Sequence, residues 1–199
     1  MKVKEALDRL VSAIKKSHPQ HNLSDTITGL SPEEVDQIEV SMPFASRELL
    51  ELFHLYDFSC CNLFSPLYLS PPSEMKEAID AQIDFYEEVD DLLEGIRGGW
   101  RSSSHEACKL DQSWRDKWIP IGDSNGNSVF IDMDPSENGA LGQVVTIQES
   151  AKHLEVLGYS LSHWMERIAT KLENLNSKNS RYSCFMSEKI EAPTERPSS

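Results

Sequence analysis

Apolar residues recur at every third or fourth position in several parts of the chain, with charged residues between them. This period places the apolar side chains on one face of a helix and predicts amphipathic helices. One helix begins at Ser31, where Pro32 suits the first helical position and Glu34 can close a capping box. The predicted helices occupy residues 2–16, the segment from Ser31 to the Met42-Pro43 pair, and residues 47–56, 73–94 and about 160–172.

Shorter apolar runs, separated by Gly, Asn, Asp and Pro, follow the fourth predicted helix and indicate strands. The predicted strands are Trp118–Ile121, Val129–Met133 and Gly142–Ile147. The order of the predicted elements is several helices, a group of strands and a last helix. This order predicts a single α+β domain over residues 1–174, with an antiparallel or mixed sheet flanked by helices. Residues 175–199 are polar, end in EAPTERPSS and are expected to form a disordered tail.

The stretch GDSNGNSVFIDMDP, which starts at Gly122, allows two interpretations. Oxygen-bearing side chains stand at positions 1, 3, 5 and 12 of a possible calcium loop, namely Asp123, Asn125, Asn127 and Asp134. Position 6 of that loop is Ser128, where a calcium loop needs Gly, and both flanks are strand-like instead of helical. Asn125-Gly126 between two apolar runs is instead the favoured pair for a type I′ hairpin turn. The pattern therefore favours a turn, with Gly122 and Gly126 as its glycines.

The net charge of the chain indicates which classes of partner it can bind. There are 33 acidic and 19 basic residues, a net charge of -14, which disfavours nucleic acid as a ligand because that affinity comes largely from Lys and Arg. No apolar run approaches the roughly 20 residues of a membrane helix, and no signal peptide is expected, because the first residues of the sequence contain no continuous apolar run. Four cysteines without a C-x-x-C pair suit a reduced, cytoplasmic protein. Neither a cofactor nor a metal is predicted.

The fourth predicted helix, residues 73–94, carries nine acidic residues and one basic residue, a charge of -8. A solvated helix face explains this composition, and an acidic docking surface is the alternative. The residues that such a surface would present are Asp84, Glu87, Glu88 and Asp91.

Catalysis has few candidates in this sequence. The six histidines do not form an H-E-x-x-H motif, and no serine lies in a G-x-S-x-G elbow. Asp132 and Asp134 alternate on a predicted strand and could act as a carboxylate pair, although solvated acids at the end of a strand explain them equally. We therefore expect no enzymatic activity.

Two blocks of the sequence resemble the SUKH superfamily, the homologues of fungal cell-wall-assembly and glucan-synthesis regulators. The more specific block runs from WIPIGDSNGN through IDMDP to a Gly-x-x-x-Gln-Val strand start at Gly139–Val144. The other block is GLSPEEVDQIEVSMPFASRELLELFHLYDF, which is similar to the first two helices of that family. Together with the last helix, the resemblance covers about residues 30–172.

The resemblance implies a non-catalytic protein-binding module. Bacterial members are largely immunity proteins that neutralise a polymorphic toxin, whereas fungal members act as scaffolds with several partners. The acidic net charge favours an immunity protein that binds a basic toxin domain. The alternative is a scaffold that binds its partners through the tail after Asn174. The expected contact residues are Asp84, Glu87, Glu88, Asp91, Asp123, Asn125, Asn127, Asp132 and Asp134.

Overall fold

A computed structural model describes residues 2–17, 29–56, 77, 80, 105–109, 117–124, 127–148 and 153–174. These residues form four helices, one short 3-10 helix and one four-stranded antiparallel sheet, which confirms the α+β prediction. The helices are α1 (Val3–Ser17), α2 (Pro32–Ser41), α3 (Arg47–Leu55) and α4 (Leu161–Asn174), and the 3-10 helix is His105–Ala107. The strands are β1 (Trp118–Ser124), β2 (Asn127–Asp132), β3 (Gln143–Gln148) and β4 (His153–Gly158).

Helix α2 begins as the sequence predicts. The Ser31 hydroxyl accepts a hydrogen bond from the Glu34 backbone N–H at 3.3 Å, and the Glu34 carboxylate accepts one from the Ser31 N–H at 2.8 Å. Pro32 occupies the first helical position, where its missing N–H costs no hydrogen bond. The capping box therefore satisfies two backbone donors that the helix itself leaves without acceptors.

The sheet has the order β1-β2-β3-β4, and each strand pairs with the one before it in the chain. Three of these strands match the predicted runs, but β4 is absent from the sequence prediction. Its alternation of Leu154 and Val156 with His153 and Glu155 is a regular strand signal over only six residues. Helix α4 begins three residues after β4 ends. The strong helical pattern of α4 therefore hides the short strand pattern that precedes it in the sequence.

Both faces of the sheet are buried. Ile119, Ile131 and Leu157 lie on the face that packs against the helices. Trp118 and Phe130 lie on the other face, with their ring centroids 5.3 Å apart, in a second apolar cluster that includes Cys108. Alternate side chains of each strand therefore enter different parts of the core.

Helix α1 packs mainly against α4, so the two ends of the described chain meet. Its buried residues are Val3, Ala6, Leu7, Leu10, Ala13 and Ile14. At the exposed rim of this contact, Arg9 donates a hydrogen bond to Glu173 at 2.7 Å and another to Thr170 at 3.0 Å. Apolar burial stabilises this pairing more than the exposed ion pair does, since pairs at the surface contribute at most about 1 kcal/mol.

Helix α3 caps helix α4. The Glu48 carboxylate accepts hydrogen bonds from the Ser162 N–H at 3.1 Å and from the Ser162 hydroxyl at 2.7 Å. A negative charge at the start of a helix also interacts favourably with the helix dipole. These two bonds fix the start of α4 against α3.

Several predicted segments lie wholly or partly outside the described residues. Glu77 and Asp80 have helical backbone conformation, in agreement with the predicted helix over residues 73–94, and the other residues of that helix are not described. The tail over residues 175–199 also lies outside the described part. Within the described residues, the helices are too short or too polar to cross a membrane.

Candidate functional site

The Asn125-Gly126 pair connects two antiparallel strands. Ser124 pairs with Asn127, so the connection contains only those two residues, which confirms the hairpin predicted from the sequence. Asn125 and Gly126 themselves lie outside the described residues. Asp123, which pairs with Ser128, and Asn127 occupy the strand ends on either side of the turn.

Gly122 does not belong to the turn, contrary to the prediction. It lies within β1 and pairs with Val129, beside an irregularity that leaves Ile121 as an extra residue between Pro120 and Gly122. Such a bulge bends the strand and increases its twist. We attribute the glycine to this bulge, since strand glycines often mark such positions.

Asp132 and Asp134 occupy different environments. The sequence pattern placed both on one strand, but β2 ends at Asp132, and Asp134 follows in a bend. Asp132 has 0% of its surface exposed. Its side chain is therefore not available to a partner at the folded surface, and this predicted contact residue is an internal one.

The Asp132 carboxylate is held by hydrogen-bond donors on both oxygens. One oxygen accepts from the Asp134 backbone N–H at 3.0 Å, and the other accepts from the Gln143 side-chain amide at 2.9 Å. The Cys108 thiol also donates to Asp132. These donors compensate part of the cost of burying the carboxylate.

Gln143, at the start of β3, connects three segments of the chain. Besides Asp132, its amide nitrogen donates to the Ala107 carbonyl at 3.0 Å, and its amide oxygen accepts from the Ala140 N–H at 3.1 Å. Gln143 is fully buried. The sequence does not predict this role, because an isolated glutamine at a strand start carries no signal of burial.

The loop between β2 and β3, residues 133–142, is anchored to the 105–109 segment. The Ser136 N–H donates to the Ala107 carbonyl at 3.2 Å, and the Ser136 hydroxyl donates to the Glu106 carbonyl. At Gly139, a β-carbon would lie 2.2 Å from the Ala107 carbonyl oxygen. Only glycine therefore allows this close approach of the two backbones.

The network suppresses chemical reactivity. Burial raises the pKa of the Asp132 carboxyl, and the hydrogen bonds from Gln143, the Asp134 backbone and Cys108 limit that rise. Burial, with the nearby Asp132 charge, raises the pKa of the Cys108 thiol well above its ordinary value. A thiol that stays protonated is a weak nucleophile, so Cys108 serves as a hydrogen-bond donor and an apolar filler.

Asp134 lies nearer the surface and carries two lysine partners. Lys109 donates to one carboxylate oxygen at 2.6 Å, and Lys117 approaches the other at 3.4 Å. The hydrogen bond from Lys109, supported by Lys117, lowers the pKa of Asp134. Its charge is thus already balanced within the protein, which makes it a weaker contact for a basic partner than an acid without such neighbours.

The described residues include a surface cleft but no cluster of metal ligands. They contain no group of three or more His, Cys, Asp or Glu residues that could hold a metal ion. A surface cleft of about 630 Å³ lies between the start of α1 and α3, lined by Lys2, Val3, Arg47, Glu48, Leu50, Glu51 and His54. The Glu48 carboxylate in this lining is already bound to Ser162. The predicted contact residues Asp84, Glu87, Glu88 and Asp91 lie outside the described residues.

A family comparison agrees with these features. The model of the SMI1 / KNR4 family (SUKH-1) matches residues 29–167, which is more than half of the chain and includes the hairpin, the Asp132 network and the first half of α4. No curated protein is significantly similar to the chain. Helix α1 precedes the matched range although it is part of the same core. The chain therefore belongs to the SMI1 / KNR4 (SUKH-1) family.

Proposed function

We propose that this protein is a cytoplasmic, non-catalytic immunity protein that neutralises a toxin domain by stoichiometric binding. The observation that carries the proposal is membership of the SMI1 / KNR4 (SUKH-1) family, whose members bind other proteins. The buried acid Asp132 supports a binding role over a catalytic one, because its hydrogen bonds hold the 133–142 loop and leave no free carboxylate oxygen for a substrate.

The net charge of -14 suggests the chemistry of the partner. An acidic surface accelerates association with a basic protein, and toxins that act on nucleic acid are themselves basic. The proposed contact residues are Asp84, Glu87, Glu88, Asp91, Asp123, Asn125, Asn127 and Asp134. We retain Asp132 as the residue that positions the loop.

A pull-down from the native cell at low and at high salt, read by mass spectrometry, tests this function. We expect one basic, toxin-like partner in near-equal amount, with recovery that falls as salt screens the charges. The purified partner should lose its toxic activity when an equal amount of this protein is added. Several partners in unequal amounts, or undiminished toxicity of the complex, would contradict an immunity role.

The acidic helix can be tested with the same partner. Neutralising Asp84, Glu87, Glu88 and Asp91 to Asn or Gln changes the net charge by four and should slow association and weaken its salt dependence. A matched control, Glu5→Lys with Asp8→Lys on α1, makes the same change in net charge at a different place. Equal association rates for the two variants would show that only the total charge matters.

A regulatory scaffold is the second candidate, since the same family includes cell-wall-assembly regulators. A scaffold that recruits partners through its polar C-terminal segment should lose them when residues 175–199 are deleted. An immunity protein should keep its affinity for the toxin after this deletion.

A further inference from the structure

Two large apolar side chains stand out on the described surface. Val40 is 83% exposed and Leu141 is 69% exposed, and both belong to the part of the chain that the family model matches. Single exposed apolar residues are common and need no explanation. Two features of these residues suggest a binding role, namely the segments on which they lie and the hydrogen bonds that hold Leu141 at the surface.

The two residues lie on segments that approach each other at Ser46 and Gly142. Val40 lies in the last turn of α2. The chain then reverses toward Ser46, and a hydrogen bond from the Ala45 N–H to the Met42 carbonyl, at 2.9 Å, closes this reversal. Leu141 precedes Gly142, and a β-carbon at Gly142 would lie 3.7 Å from the Ser46 β-carbon. We call this region, residues 39–46 with 137–142, the α2–loop corner.

Leu141 is held in its exposed position by the buried network beneath it. The Gly142 N–H donates to the Asp132 carbonyl at 2.8 Å, and the Gln143 N–H donates to the Ala140 carbonyl at 2.9 Å. Gly142 has φ of 79°, which L-residues with a side chain rarely adopt. A leucine on a preorganised loop loses little conformational entropy when a partner covers it, and this favours binding.

The surroundings of the corner are acidic. Glu39 and Glu137 are exposed within it, and Glu33, Glu34 and Asp36 precede it on α2. No Lys or Arg occurs in residues 17–46 or 118–151. The cations beside these segments are Arg47, which follows Ser46 in the chain, and Lys109 and Lys117, which are paired with Asp134 in the β2–β3 loop. Five exposed acidic residues therefore lie on α2 and the β2–β3 loop, the two segments that carry the exposed apolar side chains, and the two lysines beside that loop are already paired with Asp134.

We propose that the α2–loop corner is a docking surface for a protein segment that presents an apolar pocket or ridge surrounded by Lys and Arg. Leu141 and Val40 supply the apolar contact, and Glu39 and Glu137 pair with the cations. This surface rests on the proposed function and names a second part of the interface beside the acidic helix. A second copy of this chain does not fit, because two such corners would bring like charges together.

A defined peptide probe tests the surface. The full chain, labelled with ¹³C at Val and Leu methyl groups, is titrated with a synthetic helical peptide of Leu on one face and Lys on the other. We expect saturable shifts of the Val40 and Leu141 methyl signals. A Lys/Ser peptide of equal charge and a Glu/Leu peptide of equal apolar content should bind at least about tenfold more weakly.

Substitutions test whether the residues whose methyl signals shift also contribute to the affinity for the peptide. The double variant Val40→Ser, Leu141→Ser should weaken binding of the Leu/Lys peptide at least about tenfold. If the two residues form one surface, the loss of binding free energy in the double variant should differ from the sum of the losses in the two single variants. Glu39→Gln with Glu137→Gln should reduce the salt dependence, whereas Asp8→Asn on α1 should not. Because all of these side chains are exposed, the thermal unfolding midpoint should stay unchanged.

The outcomes are separable from those of the proposed function. Shifts centred elsewhere, equal affinity for the Lys/Ser peptide, additive single variants or no binding at all would overturn the α2–loop corner as a docking surface. If the native partner binds the Val40→Ser, Leu141→Ser variant as tightly as the original protein, the corner is wrong and the immunity role stands. If the native cell yields no stoichiometric partner, the immunity role is wrong, and the peptide titration still decides the corner.

Discussion

At the scale of single residues, the Asp132–Gln143 pair explains why two nearby acids behave differently. Asp132 is buried among hydrogen-bond donors, whereas Asp134 is held near the surface by Lys109 and Lys117. The sequence pattern indicated the importance of this stretch through its family resemblance. It did not separate the two acids, because burial depends on Cys108 and Gln143, which are distant in the chain.

The amide of Gln143 should contribute strongly to stability. We expect Gln143→Leu to lower the free energy of unfolding by about 2–3 kcal/mol, because the buried Asp132 carboxylate and the Ala107 carbonyl each lose the hydrogen bond that the Gln143 amide donates. Urea unfolding measures the change. Asn138→Ala in the same loop, at an exposed side chain, should stay within about 0.5 kcal/mol. Equal effects of the two variants would contradict the role assigned to Gln143.

The two acids should respond to pH in opposite directions. The raised pKa of Asp132 means that its contribution to stability is fully present below the ordinary aspartate pKa and is lost as the pH rises through the raised value. The lowered pKa of Asp134 means that its contribution is present above the ordinary pKa and is lost as the pH falls through the lowered value.

Measuring unfolding free energies from acid to neutral pH for Asp132→Asn and Asp134→Asn tests these directions. The stability of the original protein relative to Asp132→Asn should fall as the pH rises. Its stability relative to Asp134→Asn should rise over the same change. Parallel curves for both variants would show that burial does not distinguish the two carboxylates.

At the scale of elements, the predictions from sequence succeed where the signal is local. The starts of α2 and β2 follow from Ser31-Pro32 and from Asn125-Gly126, whose backbone preferences act within a few residues. The start of α4 depends also on Glu48, which is 114 residues away from Ser162 in the chain. No local pattern contains that contact.

Removing this long-range cap should destabilise the protein. We expect Glu48→Ala to cost about 1–2 kcal/mol, since the Ser162 N–H and hydroxyl lose their acceptor. Glu48→Gln, which keeps one side-chain oxygen, should cost less. Glu51→Ala, one turn further along α3, is the control, and a loss as large as that of Glu48→Ala would contradict the capping role. Thermal or urea unfolding gives the comparison.

At the scale of the whole molecule, the domain extends beyond the segment that the family model matches. That match begins at residue 29, yet α1 buries six side chains in the main core and packs along α4. The exposed Arg9–Glu173 pair adds little to this contact, because solvent screens it. The matched segment therefore lacks part of the core that stabilises it.

Deleting residues 1–17 tests this conclusion. We expect the shortened chain to lose its cooperative unfolding transition, since the exposed apolar surface of α4 would remain without a partner. Near-ultraviolet circular dichroism and urea unfolding report the change. Lys4→Ala, which breaks the exposed pair with Asp8, should alter stability by at most about 0.5 kcal/mol. A shortened chain that unfolds cooperatively at the original midpoint would refute the role of α1.

The sequence by itself determined the class of fold, the positions of four helices and three strands, the two-residue hairpin connection and the family. These features arise from interactions between neighbouring residues and from side-chain periodicity, which a linear pattern contains. The tertiary structure alone decided that Asp132 is internal, that β4 completes the sheet and that Leu141 is displayed on an anchored loop. Burial and exposure result from contacts between distant parts of the chain, so they exist only once those parts are packed together.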